Sequence, residues 1–373
     1  MKAIINGRIV TKDEVIDNGI IVFDNKICQL AHNIDVSGCE IYDAKGNYVI
    51  PGLVDLHTHG FCGDDVCDAD INGLRRMAVA IAKNGVTSWC PTTMTVEKAN
   101  IISALDTIRK LKTNPVGAKV LGANVEGPFI NPTRKGAQAE ENILTPDADF
   151  ALENKDVIKL ITVAPEMDGG LDFVENVTSN SDITVSIGHT DADYECAKKA
   201  IEKGARHITH LFNAMTPLHH LQPGVIGAAF EDDRVSCELI ADTFHVKTAL
   251  YKMLARNKKD KMVLITDCIR AGGMPDGEYT LGGQPVTVKG IECRLKDGTV
   301  AGSVLTLNKA VYNFMHNSDV SIVQAVNMAS LNPAMVVGEE DTIGSLEVGK
   351  CADIVIADDE MNVIKTFING DRI

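Results

Sequence analysis

The stretch IPGLVDLHTHG at residues 50–60 joins an apolar run to two closely spaced histidines. The apolar run is typical of a buried strand. His57 and His59 are two residues apart, so on an extended strand both imidazoles point to the same face. Two neutral imidazoles on one face suit a divalent cation. The pair alone is weak support for a metal site, because surface histidines are common, so its meaning depends on what the fold places beside it.

Short buried-strand runs alternate with amphipathic helical stretches over most of the chain. We expect helices at residues 72–83, 96–111 and 191–203, the last of them stopped by Gly204. Eight strands are expected, at residues 49–56, 86–90, 120–125, 159–163, 183–187, 207–209, 236–240 and 262–266.

This alternation predicts an α/β fold. Eight strands with helices between them match a (β/α)8 TIM barrel, although a doubly wound open sheet would use the same alternation. Two segments interrupt the pattern. Residues 212–234 show no convincing helix, and residues 274–298 are typical of a hairpin insertion after the eighth strand.

Both ends of the chain are typical of a small antiparallel sheet. Short β-like runs are followed by the turn pairs Asn6-Gly7 and Asp24-Asn25, which is a hairpin signal. The last residues repeat this texture and include the pair Asn369-Gly370. We therefore predict a small β domain of residues 1–50 plus 345–373, beside a catalytic barrel of residues 51–344.

Side chains able to bind a metal recur where the predicted strands end. Glu126 follows the third strand and His189 the fifth. His210 follows the sixth strand and Asp267 the eighth. Each alone has an ordinary structural explanation, as a turn acid or a core histidine. The carboxyl ends of barrel strands converge on one mouth, so we expect these four side chains to meet the histidine pair there. Six such ligands leave room for two divalent cations, and Zn, Fe, Mn and Co all suit the donors.

The charge balance excludes several classes of partner. The chain of 373 residues has 36 Lys and Arg against 51 Asp and Glu, a net charge of −15, which repels nucleic acid and anionic membranes. No apolar run approaches the roughly 20 residues that a bilayer crossing needs. The N-terminal residues lack the apolar core of a signal peptide. We expect a cytoplasmic protein whose partner is a small molecule, which can be anionic if a few cations line its pocket.

The strand ends also carry longer motifs: VEGPFINPTRKGAQ (125–138), IGHTDAD (187–193), THLFNAM (209–215) and LITDCIRAGG (264–273). With residues 50–60, they make the chain similar to the amidohydrolase superfamily. The first and third motifs are the more specific ones, and they resemble the N-acetylglucosamine-6-phosphate deacetylase family.

The resemblance implies a metal-dependent barrel of the amidohydrolase type, with a small β-sandwich-like domain formed from both termini, assembled as a homodimer. It implies hydrolysis of the acetamido group of an amino sugar, N-acetylglucosamine 6-phosphate, to glucosamine 6-phosphate and acetate.

The resemblance also implies roles for individual residues. Glu126, His189 and His210 match the ligands of the metal that is always present. His57 and His59 match the ligands of a second metal. Asp267 matches the catalytic acid and base, and we count it among the metal ligands as well. The expected substrate contacts are Ala137, Gln138, Asn213, Ala214, His220, His245, Val300, Ala301 and Gly302.

One motif departs from the family pattern. Where the family usually has Arg-Glu before Pro-Gly, this chain has Leu221 and Gln222. That arginine is a principal phosphate contact, and a leucine offers no donor in its place. Two interpretations follow. The substrate is an N-acetyl sugar that lacks the phosphate or places it differently, or another cation supplies the missing charge, from among Arg134, Lys135, His219, His220 and His245.

Two rival functions remain. Cyclic-amide hydrolysis in related enzymes usually needs a carboxylated lysine at the end of strand four, where this chain reads TVAPE (162–166). A non-catalytic sugar-binding barrel would have no need of Asp267 or of a complete set of metal ligands.

Overall fold

The computed structural model describes all residues from Met1 to Ile373. The first five strands form part of a sheet made by the two chain ends. Asn6 and Gly7, predicted as a turn, lie inside the first strand at a β-bulge, so that prediction is wrong. Gly7 packs against Val49, where a Cβ would lie 2.5 Å from the valine methyl, and the chain turns only at Thr11–Glu14. These strands are β1 Lys2–Val10, β2 Val15–Phe23, β3 Ile27–Ala31, β4 Glu40–Asp43 and β5 Tyr48–Pro51.

Parallel strands then form the barrel, and all eight predicted strands are present. The third is split into two short pieces that both pair with the second, β10 and β11 with β9. The strands of this region are β6 Leu53–Thr58, β7 Gly60–Phe61, β8 Asp64–Asp65, β9 Val86–Thr93, β10 Lys119–Val120, β11 Ala123–Val125, β12 Ile158–Val163, β13 Thr184–Ile187, β14 His207–Ile208, β15 Ser236–Ile240 and β16 Met262–Ile265.

Helices lie between most of the barrel strands. The three predicted helices are confirmed, and Asp70 and Asp193 cap two of them by accepting backbone N–H bonds. The prediction of no helix in residues 212–234 is wrong: GVIGAAFE forms one that is apolar on most sides, so no amphipathic period reveals it. The helices are α1 Ile71–Ala82, α2 Lys98–Thr113, α3 Ala148–Glu153, α4 Gly170–Asn180, α5 Tyr194–Glu202, α6 Gly224–Glu231, α7 Tyr251–Lys258, α8 Leu307–Asn317, α9 Ile322–Asn327 and α10 Leu331–Val336.

The eighth barrel strand closes onto the first. The Asp267 backbone N–H donates to the His57 carbonyl at 2.8 Å, just beyond the end of β16. The buried Asp55 carboxylate accepts hydroxyl bonds from Thr58 at 2.6 Å and Thr266 at 2.7 Å. The barrel, rather than the open sheet, is thereby confirmed.

After the barrel strands, the chain adds a small antiparallel sheet and returns to its starting sheet. The predicted hairpin insertion is confirmed and gains a third strand, in β17 Gly277–Leu281, β18 Gln284–Lys289 and β19 Glu292–Leu295. The final strands are β20 Ile354–Ala357, β21 Val363–Ile368 and β22 Asp371–Arg372, and β20 pairs with β5.

The terminal sheet has its own hydrophobic core. A cluster of 13 buried residues is formed by this sheet and the segments beside it, separate from the 89-residue cluster that contains the barrel core. The predicted small domain made from both chain ends is therefore confirmed, whereas its bounds at residues 50 and 345 remain a prediction. None of the helices is both long enough and apolar enough to cross a membrane.

Candidate active site

Six predicted metal ligands come together at the carboxyl end of the barrel. His57 and His59 sit at the end of β6, with their Nε2 atoms 3.2 Å apart. His189 and His210 follow β13 and β14, and their Nε2 atoms lie 3.1 Å apart. All four imidazoles are buried. Two histidine pairs from different strands thus face one another across the mouth.

The Glu126 carboxylate lies between the two pairs. Its Oε1 is 2.8 Å from His210 Nε2 and 3.1 Å from His189 Nε2. The same oxygen is 3.4 Å from His57 Nε2, and Oε2 is 3.1 Å from His59 Nε2. Two groups of close ligand atoms therefore share Glu126: one with His57 and His59, the other with His189 and His210.

Asp267 completes the cluster from the eighth strand. Its Oδ1 lies 3.2 Å from His59 Nε2 and 3.6 Å from His57 Nε2. Asp267, His189 and His210 all have positive φ, at 48°, 47° and 28°. Left-handed backbone is costly for residues with a Cβ, and it concentrates at functional sites, where surrounding structure enforces it. At these three positions the left-handed backbone directs the side chains that follow the strands into the barrel mouth.

Hydrogen bonds at the far side of three rings decide which nitrogen faces the centre. The Nδ1 of His57 contacts the Glu238 carboxylate at 3.0 Å. The Nδ1 atoms of His59 and His189 contact backbone carbonyls, at 3.2 Å on Thr92 and 2.8 Å on Arg134. These oxygens can only accept, so Nδ1 carries the proton, and each neutral ring presents an Nε2 lone pair to the centre.

Lone pairs placed this closely repel unless a positive charge lies among them. A tetrahedral cation with bonds of 2.0–2.1 Å to nitrogen holds its ligand atoms about 3.3 Å apart, close to the separations within each histidine pair. The Nδ1 of His210 is buried and has no hydrogen-bond partner, so the polar contacts of this ring are those of its Nε2. The residues present therefore fit a bound divalent cation.

The shifted pKa values of these side chains also indicate that the cluster needs positive charge. Burial favours the neutral imidazole of His59, yet hydrogen bonds to Asp267 and Glu126 raise its pKa to about 9. Burial opposes ionisation of Glu126, but the charges of His57 and His189 hold its pKa well below the ordinary value. Burial likewise opposes ionisation of Asp267, whose pKa is lowered by the hydrogen bond from His59. Without a cation, protons on the histidines take its place.

A cavity of about 240 Å³ opens over this cluster. Gln138 lies beside the carboxylate, where its Nε2 donates to Glu126 Oε2 at 2.7 Å and its Oε1 accepts from the Thr95 N–H at 2.8 Å. Seven predicted substrate contacts line the cavity: Ala137, Gln138, Asn213, Ala214, His245, Val300 and Gly302.

The structure does not bring the other two predicted contacts to the cavity. Ala301 is fully buried, and its N–H donates to the Cys293 carbonyl. His220 lies in an exposed turn outside the cavity. Leu221, next to it, is 76% exposed and also outside. The leucine that stands in place of the family arginine therefore does not line this cavity.

Of the five candidates for the missing charge, His245 alone lines the cavity. The Arg134 guanidinium is turned to Asp191, with Nε donating at 2.8 Å. His245 is held by Asp242, whose Oδ2 lies 2.6 Å from His245 Nδ1 and whose Oδ1 accepts the His245 N–H at 2.8 Å.

Sequence reasoning missed two of the supporting carboxylates. Glu238 and Asp242 lie within and just after β15, in the run SCELIAD. The sequence did contain a signal for Glu238, because a charged residue in the middle of a buried apolar strand needs an explanation. Glu166 accepts from Asn131 Nδ2 at 2.8 Å and from the Asp191 N–H at 2.6 Å, and so joins the loops that follow strands three and five.

Comparisons of the sequence and the structure show which known proteins this chain resembles. The chain matches the profile of the amidohydrolase family over residues 48–373. It is 39% identical to the N-acetylglucosamine-6-phosphate deacetylase of Bacillus subtilis, over 97% of this chain and 94% of that protein. It is 34% identical to the N-acetylgalactosamine-6-phosphate deacetylase of Escherichia coli O157:H7, over 97% of each. The crystal structure of N-acetylglucosamine-6-phosphate deacetylase from Pasteurella multocida matches with a TM-score of 0.95 at 30% identity, covering 100% of this chain and 99% of that one.

Cation binding is expected to strengthen as the pH rises, because the cation must displace the protons that His57 and His59 hold in the cation-free protein. His59 must be neutral to bind a cation, and its pKa of about 9 in the cation-free protein keeps it protonated at neutral pH. Each displaced proton lowers the apparent Kd about tenfold per pH unit below the pKa of its ring, so His59 adds to the slope below about pH 9. Calorimetric Co²⁺ titrations at several pH values measure this slope. The His59→Ala variant should show a shallower slope, and equal slopes would contradict the expectation.

Proposed function

The chain belongs to the amidohydrolase family, in the branch of N-acetylglucosamine-6-phosphate and N-acetylgalactosamine-6-phosphate deacetylases, and we propose that it hydrolyses the acetamido group of N-acetylglucosamine 6-phosphate. The products are glucosamine 6-phosphate and acetate. The observation that carries the proposal is Glu126, a strand-three carboxylate that reaches both histidine pairs while Asp267 faces the same point. No lysine ends strand four, where cyclic-amide hydrolases need one.

The proposed centre holds two divalent cations. Glu126, His189 and His210 would hold the first, and His57 and His59, with Glu126 and Asp267 beside them, would hold the second. When bound, such cations lower the pKa of water toward 7 and polarise an amide carbonyl. Histidine and carboxylate donors suit Zn, Fe, Mn and Co alike.

Proton transfer is assigned to Asp267. An acetamide is a poor electrophile and its amine a poor leaving group, so one group must take a proton from water and return it to the nitrogen. The lowered pKa of Asp267 leaves it ionised at neutral pH, ready to act first as the base. As the C–N bond breaks, the same carboxyl group gives the proton to the departing amine.

Substrate orientation follows from the cavity wall. Gln138 lies beside Glu126, and we place the acetamide group against it. His245 and Asn213 also line the cavity, and we assign them to the 6-phosphate. The Asp242 carboxylate accepts from His245 Nδ1, so the opposite nitrogen, Nε2, faces away from Asp242, and in the doubly protonated ring it would donate to the phosphate.

A second candidate substrate is an N-acetyl sugar without the phosphate. The observation that favours it is Leu221, which stands where the family has a phosphate-binding arginine. The cytoplasmic location expected from the sequence and the homodimer that the resemblance implies both stay predictions.

Acetate release decides between the substrates. Metal-quantified protein would be assayed with N-acetylglucosamine and N-acetylgalactosamine, each with and without a 6-phosphate. We expect the highest kcat/KM for N-acetylglucosamine 6-phosphate. Equal or faster release from the unphosphorylated sugars would favour the second candidate, and no release from any of them would refute the proposed function.

The Asp267→Asn variant should lose at least two orders of magnitude in kcat, within the ~10²–10⁴ that acid–base groups contribute. The amide cannot take the proton from water, while its shape leaves the cation ligands in place. Steady-state acetate release gives kcat, and elemental analysis gives the metal content, which should stay near that of the wild type. Asp182→Asn, an exposed acid elsewhere on the barrel, is the control. A variant that keeps most of its kcat would remove Asp267 from this role.

The His245→Ala variant should raise KM for the 6-phosphorylated sugar by about tenfold or more, as expected for loss of a charge-assisted contact of ~1.4 kcal/mol. KM for the unphosphorylated sugar should change much less. His220→Ala is the matched control, because that ring lies outside the cavity. An equal effect on both sugars, or an equal effect of His220→Ala, would speak against His245 as the phosphate contact.

A further inference from the structure

The Glu238 carboxylate lies under the candidate cation centre and has no part in the proposed reaction. It sits in the middle of β15 and is 1% exposed. Its Oε2 is 3.0 Å from His57 Nδ1 and accepts the His210 backbone N–H at 3.0 Å. Its Oε1 is 3.1 Å from His207 Nε2. A buried carboxylate is costly unless donors surround it, and here two of the three donors belong to cation ligands.

We infer that Glu238 is a positioning residue for the two-cation centre: it orients His57 toward the second cation and fixes the backbone of His210 at the first. The inference rests on the proposed function, because it assumes that both cations bind. One carboxylate oxygen serves both ligands, so a change at Glu238 reaches both halves of the centre.

The ring of His57 depends on this contact more than the other rings depend on theirs. If its Nδ1 had no acceptor, the proton could move to Nε2, which lies 3.2 Å from His59 Nε2, and the ring could then bind no cation. His59 and His189 are oriented by backbone carbonyls, which no substitution removes. His57 alone is oriented by a side chain, and by a charged one, which makes the stronger hydrogen bond.

His207 orients Glu238 in turn. This ring is fully buried at the start of β14. Its Nδ1 has no hydrogen-bond partner, so its polar contact is the one that Nε2 makes with Glu238 Oε1. His207 lies outside the cavity and is therefore available to hold the carboxylate in place, rather than to touch substrate.

Two substitutions at Glu238 distinguish a role in orienting His57 from a role in filling buried space. Glu238→Ala removes every acceptor. Glu238→Gln keeps the shape: its oxygen can accept from His57 Nδ1 and the His210 N–H, and its NH₂ group can donate to His207 Nε2 once the His207 proton has moved to Nδ1. The matched control is Asp353→Ala, which removes a carboxylate that is also buried but lies beside β20 of the terminal sheet, where it pairs with Lys119 of β10.

The experiment titrates cation-free full-length protein with Co²⁺. Calorimetry and the visible absorption of bound Co²⁺ are the two measurements of binding. We expect Glu238→Ala to weaken the binding of the second Co²⁺ by 10- to 100-fold and to change its absorption spectrum. Glu238→Gln should recover most of that affinity, and Asp353→Ala should bind as the wild type does. Circular dichroism and the melting temperature check that each variant is folded.

A double-variant cycle tests the route through His57. If Glu238 acts on the second cation through that ring, then Glu238→Ala should cost little further affinity for the second Co²⁺ once His57→Ala has been made. Additive losses would overturn the inference, as would wild-type binding of both Co²⁺ ions by Glu238→Ala, equal weakening by Asp353→Ala, or no recovery with Glu238→Gln. A wild-type protein that binds no Co²⁺ would overturn the proposed function and this inference together.

Discussion

The carboxylate of Asp55 lies inside the barrel wall where strand eight meets strand one. Thr58 on one strand and Thr266 on the other donate their hydroxyls to it. A carboxylate buried without such donors would strongly destabilise the fold, so the two strand ends must stay in register. Beside this contact, Asp267 donates its N–H to the His57 carbonyl. The closure of the barrel therefore brings the proposed acid–base group next to the histidine pair, although the two come from opposite ends of the barrel sequence.

The buried carboxylates of this mouth fall into two groups. Asp55, Glu238 and Asp242 lie behind the cavity, and each is surrounded by hydroxyl, imidazole or backbone donors. Glu126 and Asp267 face the cavity, and their neighbours are mainly histidine nitrogens that other contacts have already turned into acceptors. The first group is satisfied by the protein, whereas the second, apart from the Gln138 amide that donates to Glu126, needs added positive charge. This division explains how a stable barrel can keep a site that attracts cations.

The backbone strain of the site lies in the loops that follow the strands. His189, His210 and Asp267 adopt backbone conformations that side chains disfavour. The barrel can hold them there because each comes just after a buried strand: β13 and β14 pair with a neighbour on both sides, and β16 pairs with β15. A rigid scaffold below and irregular backbone above is the arrangement that lets one end of a barrel carry chemistry.

The sequence by itself predicted the eight strands, three of the ten helices, the α/β class and the six candidate ligands, because these follow from local hydrophobic period and from residue type at strand ends. It did not reveal α6, whose composition is apolar nearly all round, or the bulge that keeps Asn6 and Gly7 inside a strand. Only the tertiary structure decided that the sheet closes, that Glu238 reaches His57 across 181 positions of the chain, and that His220 stays outside the cavity while His245 lines it. The physical reason is that such contacts depend on strand register and on the path of the loops, which no local pattern of residues encodes.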